Sequence, residues 1–78
     1  MKLEIITPEK TLFTGEVRLV QLPGIDGSFE ILNHHAPLIS VLAKGRIKIQ
    51  DESKQLLYFE INGGVVEVLN NTVLILAE

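Results

Sequence analysis

The stretch "GRIKIQDESKQLLYFEIN", residues 45–62, decides the fold class. In "GRIKIQ" apolar and polar residues alternate, so Ile47 and Ile49 share one face while Arg46 and Lys48 share the other. A period of two is the side-chain repeat of a strand with one buried face. "DESK" then supplies a short polar connection, after which Leu57, Phe59 and Ile61 again fall on a common face. Two such runs joined by a polar turn read as a β-hairpin.

The same pattern extends outward in both directions. Upstream, "KLEII" alternates and stops at Thr7-Pro8, where proline removes a ladder donor. "EVRLVQL" begins with Val17 and Leu19 on one face and then changes phase to Val20 and Leu22, which predicts a bulge near Leu19. "PGIDG" marks a tight turn, and "SFEI" and "PLISVL" are further short strands. Downstream, Gly63-Gly64 permits positive φ before "VVEVL". Asn70-Asn71 suits a two-residue hairpin turn, since Asn tolerates the left-handed region. "TVLILA" is apolar on both faces, as an inner strand would be. No window offers an amphipathic helix. The expectation is a single all-β domain over residues 1–78, an antiparallel β-sandwich or flattened barrel of about nine to ten short strands.

Composition narrows the function classes. A chain of 78 residues buries only roughly 60% of its unfolded surface, so its core leaves little stability to spare. Its apolar residues are mainly Leu, Ile and Val, and the mean hydropathy is +0.30. A domain this small cannot enclose them all, so some should stay outside as a docking patch. With no cysteine, disulfides and thiolate-ligated zinc are excluded. The net charge of −3 argues against nucleic acid, and the alternating Lys44, Arg46 and Lys48 have no aromatic residue beside them in sequence. The longest stretch without formal charge, Ile31 to Ala43, is broken by Asn33, His34, His35 and Pro37, too polar for a membrane-spanning helix. "MKLEIITPEK" lacks the apolar core of a signal peptide. A soluble chain is expected, touching a membrane only through a partner.

The residues that could carry chemistry lie in "ILNHHAPLIS", residues 31–40. Adjacent His34 and His35 would point to opposite faces of an extended chain, and Asp26, Glu30 and Asp51 complete no ligand spacing with them. Ser28, Ser40 and Ser53 lie in no nucleophile-elbow context. The glycines of "GIDG" and "NGG" do not lie between a strand and a helix, so they form turns rather than a phosphate loop. No catalytic residue, metal site or cofactor is expected, which leaves a binding or structural module.

Four segments in order, "TPEKTLFTGEV", "VQLPGIDGSFEIL", "HAPLISVLAKGRIKI" and "INGGVVEVLNNTVLILAE", resemble the N-terminal β-sandwich of the epsilon subunit of F-type rotary ATP synthases. The resemblance covers essentially the whole chain. It implies a non-catalytic rotor subunit at the foot of the central stalk, between the gamma subunit and the c-subunit ring. The ring contact would comprise Gly27, Ser28 and Phe29 with His35 and Ala36, and the gamma contact would include Thr7 and Ser40. Membrane association would come only through the complex, on the cytoplasmic face of a bacterial inner membrane. An interaction module of some unrelated complex is the alternative.

Two departures from that family stand out. Glu30 occupies a position typically held by glycine, and Asn33-His34 replaces a Pro-Gly pair. Asn and His are among the side chains least penalised at positive φ, so the loop can keep its path. Bacterial members also continue beyond the position of Ala77-Glu78 into paired helices, some of which bind ATP. Without them, neither helix-mediated inhibition nor a nucleotide site is expected of these residues.

Overall fold

The computed structural model describes residues 1–78, and every regular element in it is a strand. In chain order these are β1 (Lys2–Ile6), β2 (Thr11–Gly24), β3 (Gly27–Leu32), β4 (Leu38–Leu42), β5 (Gly45–Asp51), β6 (Leu56–Ile61), β7 (Gly64–Leu69) and β8 (Thr72–Ala77). The all-β expectation holds, with eight strands in place of nine to ten. The run read as "EVRLVQL" extends in both directions into one continuous strand, "TLFTGEVRLVQLPG".

β2 closes the sandwich. Its first half, Thr11–Glu16, pairs with β1, and its second half pairs with β5 on one side and β3 on the other. Fourteen residues at about 3.3 Å each would extend about 46 Å. The longest dimension of the molecule is 27 Å, so β2 has to bend. The bend coincides with the predicted bulge: Val17 faces Asp51 and Leu19 faces Gln50, leaving Arg18 as the extra residue. That extra residue turns Val20 and Leu22 inward behind Val17 and puts Leu19 on the outer side.

One layer is β1–β8–β7–β4, and the other is β3, the second half of β2, β5 and β6. All pairings are antiparallel except β1 with β8, which run parallel from Lys2↔Thr72 to Ile6↔Leu76. The sheet is therefore mixed, not purely antiparallel. β8 lies between β1 and β7, the inner position expected of "TVLILA". The inner faces of both layers merge into one core of 16 buried apolar residues, including Leu3, Ile5, Val20, Leu22, Ile47, Ile49, Val66 and Ile75. Fully burying aliphatic side chains of this size contributes about 1.5–3 kcal/mol each. No polar or charged side chain is buried.

The connections follow the turn chemistry. β2 and β3 join through Ile25-Asp26, with Gly27 at φ 126°. Asn70 and Asn71 sit at φ 52° and 59°, the paired left-handed conformation of a primed hairpin turn. In the β5–β6 connection, Asp51 Oδ1 accepts hydrogen bonds from the backbone N–H groups of Ser53 and Gln55, both at 2.9 Å. Gly64 takes φ 153°, and a Cβ there would collide with the carbonyl oxygen of Leu76. Only glycine lets β7 start so close to β8.

Candidate docking faces

Inward-pointing side chains form the core, so the other half of each strand defines two outer faces. On the β1–β8–β7–β4 layer, the cross-strand register aligns three rows. Ile6, Leu76, Val65 and Val41 form one apolar row across all four strands. Glu4, Leu74, Glu67 and Ile39 form the next, and Lys2, Thr72 and Leu69 the third. Ile39 is 72% exposed, and Val41, Leu69 and Leu76 are each 51% exposed. The Ile25 N–H donates to the Val41 carbonyl oxygen at 3.3 Å, which brings another exposed isoleucine to the same corner. Leaving this many β-branched and leucine side chains adjacent and wet is unfavourable, and burying them under a partner would be favourable. This is the surplus aliphatic surface expected from composition.

The candidate gamma-contact residues, Thr7 and Ser40, lie at opposite margins of that layer. Thr7 follows Ile6 and closes a tight turn with Lys10: its N–H donates to the Lys10 carbonyl oxygen at 2.8 Å, and its Oγ1 accepts from the Lys10 N–H at 3.2 Å. Ser40 precedes Val41 on β4, but its half-buried side chain points to the same side as Leu42. The outward residues on β4 are Ile39 and Val41, which sequence reasoning did not single out. The signal was present, because "LISVL" is apolar at both phases of its alternation.

The candidate ring-contact residues fall into two groups. Gly27 and Ser28 are exposed in the β2–β3 hairpin, at the end where Gly24 pairs with Leu42. Phe29 points inward and packs on the core. His35 and Ala36 are exposed at the other end of β3, beside the β7–β8 turn. β3 starts at Gly27 and ends at Leu32, whose carbonyl oxygen accepts from the His35 N–H, so Gly27 stands about 17 Å and Phe29 about 10 Å along the strand from that end. Gly27 and Ser28 thus lie at one end of β3 and His35 and Ala36 at the other, with Phe29 between them.

The histidine loop is held by its backbone. His34 has φ 64°, the left-handed conformation proposed for a residue replacing a turn glycine. Its N–H donates to Asn71 Oδ1 at 2.7 Å, and the His35 N–H donates to the Leu32 carbonyl oxygen at 3.2 Å. His35 Nδ1 lies 2.7 Å from the Ala36 carbonyl oxygen, a hydrogen-bond distance. Asn33 Oδ1 accepts from the Met1 amino group at 2.6 Å, so Asn33 and His34 tie the loop to the start of β1 and to the β7–β8 turn. No group of three or more His, Asp or Glu side chains is placed to hold a metal ion.

Across residues 1–78 the chain matches the family described as "ATP synthase, Delta/Epsilon chain, beta-sandwich domain". It is 43% identical over 77 residues to the ATP synthase epsilon chain of Chlorobium limicola, covering 99% of this chain and 88% of that one. Against the epsilon chain of Protochlamydia amoebophila it is 43% identical over 76 residues, covering 97% of this chain but only 52% of the relative. Among solved structures, a chain in the central stalk and c-ring of Tetrahymena thermophila mitochondrial ATP synthase superposes with a TM-score of 0.83 at 26% identity. That match covers 99% of this chain and 62% of the other. A chain of the Euglena gracilis mitochondrial ATP synthase shares the fold, with a TM-score of 0.90 at 21% identity over 96% of this chain and 48% of that one.

Proposed function

The chain belongs to the β-sandwich family of ATP synthase delta and epsilon chains, and on that premise we propose that it is a non-catalytic subunit of a rotary ATP synthase, seated in the central stalk. In this reading it links the gamma subunit to the c-subunit ring and carries rotation between them. Its tie to the membrane is through the complex, on the cytoplasmic face of a bacterial inner membrane. No helix of the chain is long and apolar enough to cross a bilayer.

The observation that carries the proposal is the apolar outer face of the β1–β8–β7–β4 layer. Of the expected gamma contacts, Thr7 lies beside Ile6 at one end of the row Ile6–Leu76–Val65–Val41. Ser40 precedes Val41 at the other end with its side chain turned inward, so Ile39 and Val41 would make the contact there. A gamma-type shaft lying across that row would cover it from both margins. The ring contact is assigned to the hairpin bearing Gly27, Ser28 and Phe29, with Phe29 acting as the inward anchor that stiffens the tip. His35 and Ala36 are assigned to the same contact, which the ring surface reaches by spanning the length of β3. Strands on both sides of one solid core suit torque transmission, since a disordered link would store twist instead of passing it on.

The test is a pull-down with the gamma subunit encoded in the same genome, comparing the native chain with Val65→Glu. Stoichiometric capture of the native chain and its loss in the variant are expected. Absence of capture at about micromolar concentration, the range of a modest specific complex, would overturn the reading.

A further inference from the structure

The opposite outer face carries a polar depression that shares only Ser28 with the assigned ring contact. Gln21, Pro23, Ser28, Arg46, Lys48 and Tyr58 line an open depression of about 410 Å³. Four strands contribute to it, held in register by the pairs Gln21↔Lys48, Lys48↔Tyr58 and Pro23↔Ser28. The Arg46 guanidinium carbon lies 4.6 Å from the centroid of the Tyr58 ring. Stacking of this kind fixes the plane of the guanidinium while leaving its N–H fork available.

Neither cation is paired. The one ion pair in the chain joins the Met1 amino group to Glu16, and Arg46 and Lys48 have no carboxylate within 4.0 Å. Glu30 neighbours Gln21, and Glu60 stands opposite Arg46 in register, so two carboxylates flank the depression without entering it. Five polar side chains thus converge, Gln21, Ser28, Arg46, Lys48 and Tyr58, and all of them carry N–H or O–H donors that a tetrahedral oxyanion could accept from. A carboxylate confines its acceptors to two coplanar oxygens, whereas a phosphate spreads them tetrahedrally over three or more, which suits donors arriving from four strands. The chain's net charge of −3 opposes anions at long range, but screening limits that to about 10 Å at ordinary salt. The geometry points to a binding site for a phosphate group, either the headgroup of an anionic lipid or a soluble phosphate.

The first arm of the test titrates the isotopically labelled chain with inorganic phosphate, with chloride at equal ionic strength as the reference, and follows backbone amide shifts. Saturable shifts confined to Gln21, Ser28, Arg46, Lys48 and Tyr58 are expected. Arg46→Gln and Lys48→Gln should each weaken binding about tenfold. Arg18→Gln removes the same charge outside the depression and should leave it unchanged. Unaltered thermal unfolding of all three variants excludes misfolding as the cause. The second arm measures cosedimentation with phosphatidylglycerol-containing vesicles and with pure phosphatidylcholine vesicles. Retention on the anionic vesicles alone, lost in both depression variants, assigns a lipid headgroup. Phosphate shifts without retention assign a soluble ligand. The proposal is overturned if phosphate gives no saturable shift and neither vesicle is preferred, or if binding survives both substitutions.

Discussion

The two outer faces of this sandwich are built on equivalent strands and differ in what they present. On one, the row across the sheet reads Ile6, Leu76, Val65, Val41; on the other, one row reads Glu30, Gln21, Lys48, Tyr58 and the next reads Leu32, Leu19, Gln50, Leu56. The inner sides do not differ in this way, since both contribute aliphatic residues to one core. Folding needs only the inner pattern. The asymmetry lies in the charged row, since only the second face sets Arg46, Lys48 and Tyr58 side by side while both expose leucines.

The largest expected effect tests the claimed equality of the interiors. Ile75→Ala and Ile49→Ala remove the same atoms from the inner sides of opposite layers, and each should cost about 2–5 kcal/mol. Urea unfolding should show similar losses for the two. A much cheaper Ile49→Ala would mean that the core belongs mainly to the apolar-backed layer, and the comparison of the faces would have to be redrawn.

Next in size is docking. Val65→Glu should weaken gamma binding about a hundredfold, about 2.7 kcal/mol, while Lys48→Glu on the other face leaves it within about threefold. Calorimetric titration reads both. Equal losses would show that the apolar face has no special role. Since Val65 is 39% exposed, its substitution should shift unfolding by about 0.5 kcal/mol or less, so the two readouts separate.

A smaller effect concerns the loop between the faces. His34→Gly relieves the strain of a positive φ while keeping the backbone N–H that Asn71 accepts from, and should stabilise the fold by about 1 kcal/mol. Gamma binding should not change. A loss of gamma binding in this variant would move the histidine loop into the gamma contact. The smallest effect is on the polar face: Tyr58→Leu removes the stacked pair with Arg46 and should cost about 0.5 kcal/mol, measured by thermal unfolding at two salt concentrations.

Local features of the fold were legible in the sequence wherever one residue type has one conformational use. The bulge at Arg18, the Asn70-Asn71 turn, the Ile25-Asp26 turn and the positive φ of Gly63 and Gly64 could all be read from phase shifts and turn chemistry. What could not be read is partner choice. Nothing in "KLEII" says that it will run parallel to "TVLILA", because strand pairing is decided by the whole core. Tyr58 was absent from the sequence neighbourhood of Arg46 and Lys48 for the same reason: β6 brings it there across the sheet. The apolar docking face was half legible. Composition required an exposed patch, but only the register placed Ile39, Val41, Val65 and Leu76 side by side.

The parallel pairing of β1 with β8 has a consequence for synthesis. Leu3 and Val73 are neighbours, yet nearly the whole chain separates them, and β8 fills the gap between β1 and β7. While a ribosome is still making "TVLILA", β1 and β7 each keep an unpaired edge and the apolar inner side chains of both remain wet. The nascent chain can form its local hairpins early but cannot close its core until its last strand emerges. Long-range pairing of this kind also slows folding, to roughly milliseconds or longer. During that interval the growing chain exposes apolar surface on both sides of an open sheet, which is when it most needs a chaperone or its own assembly partner nearby.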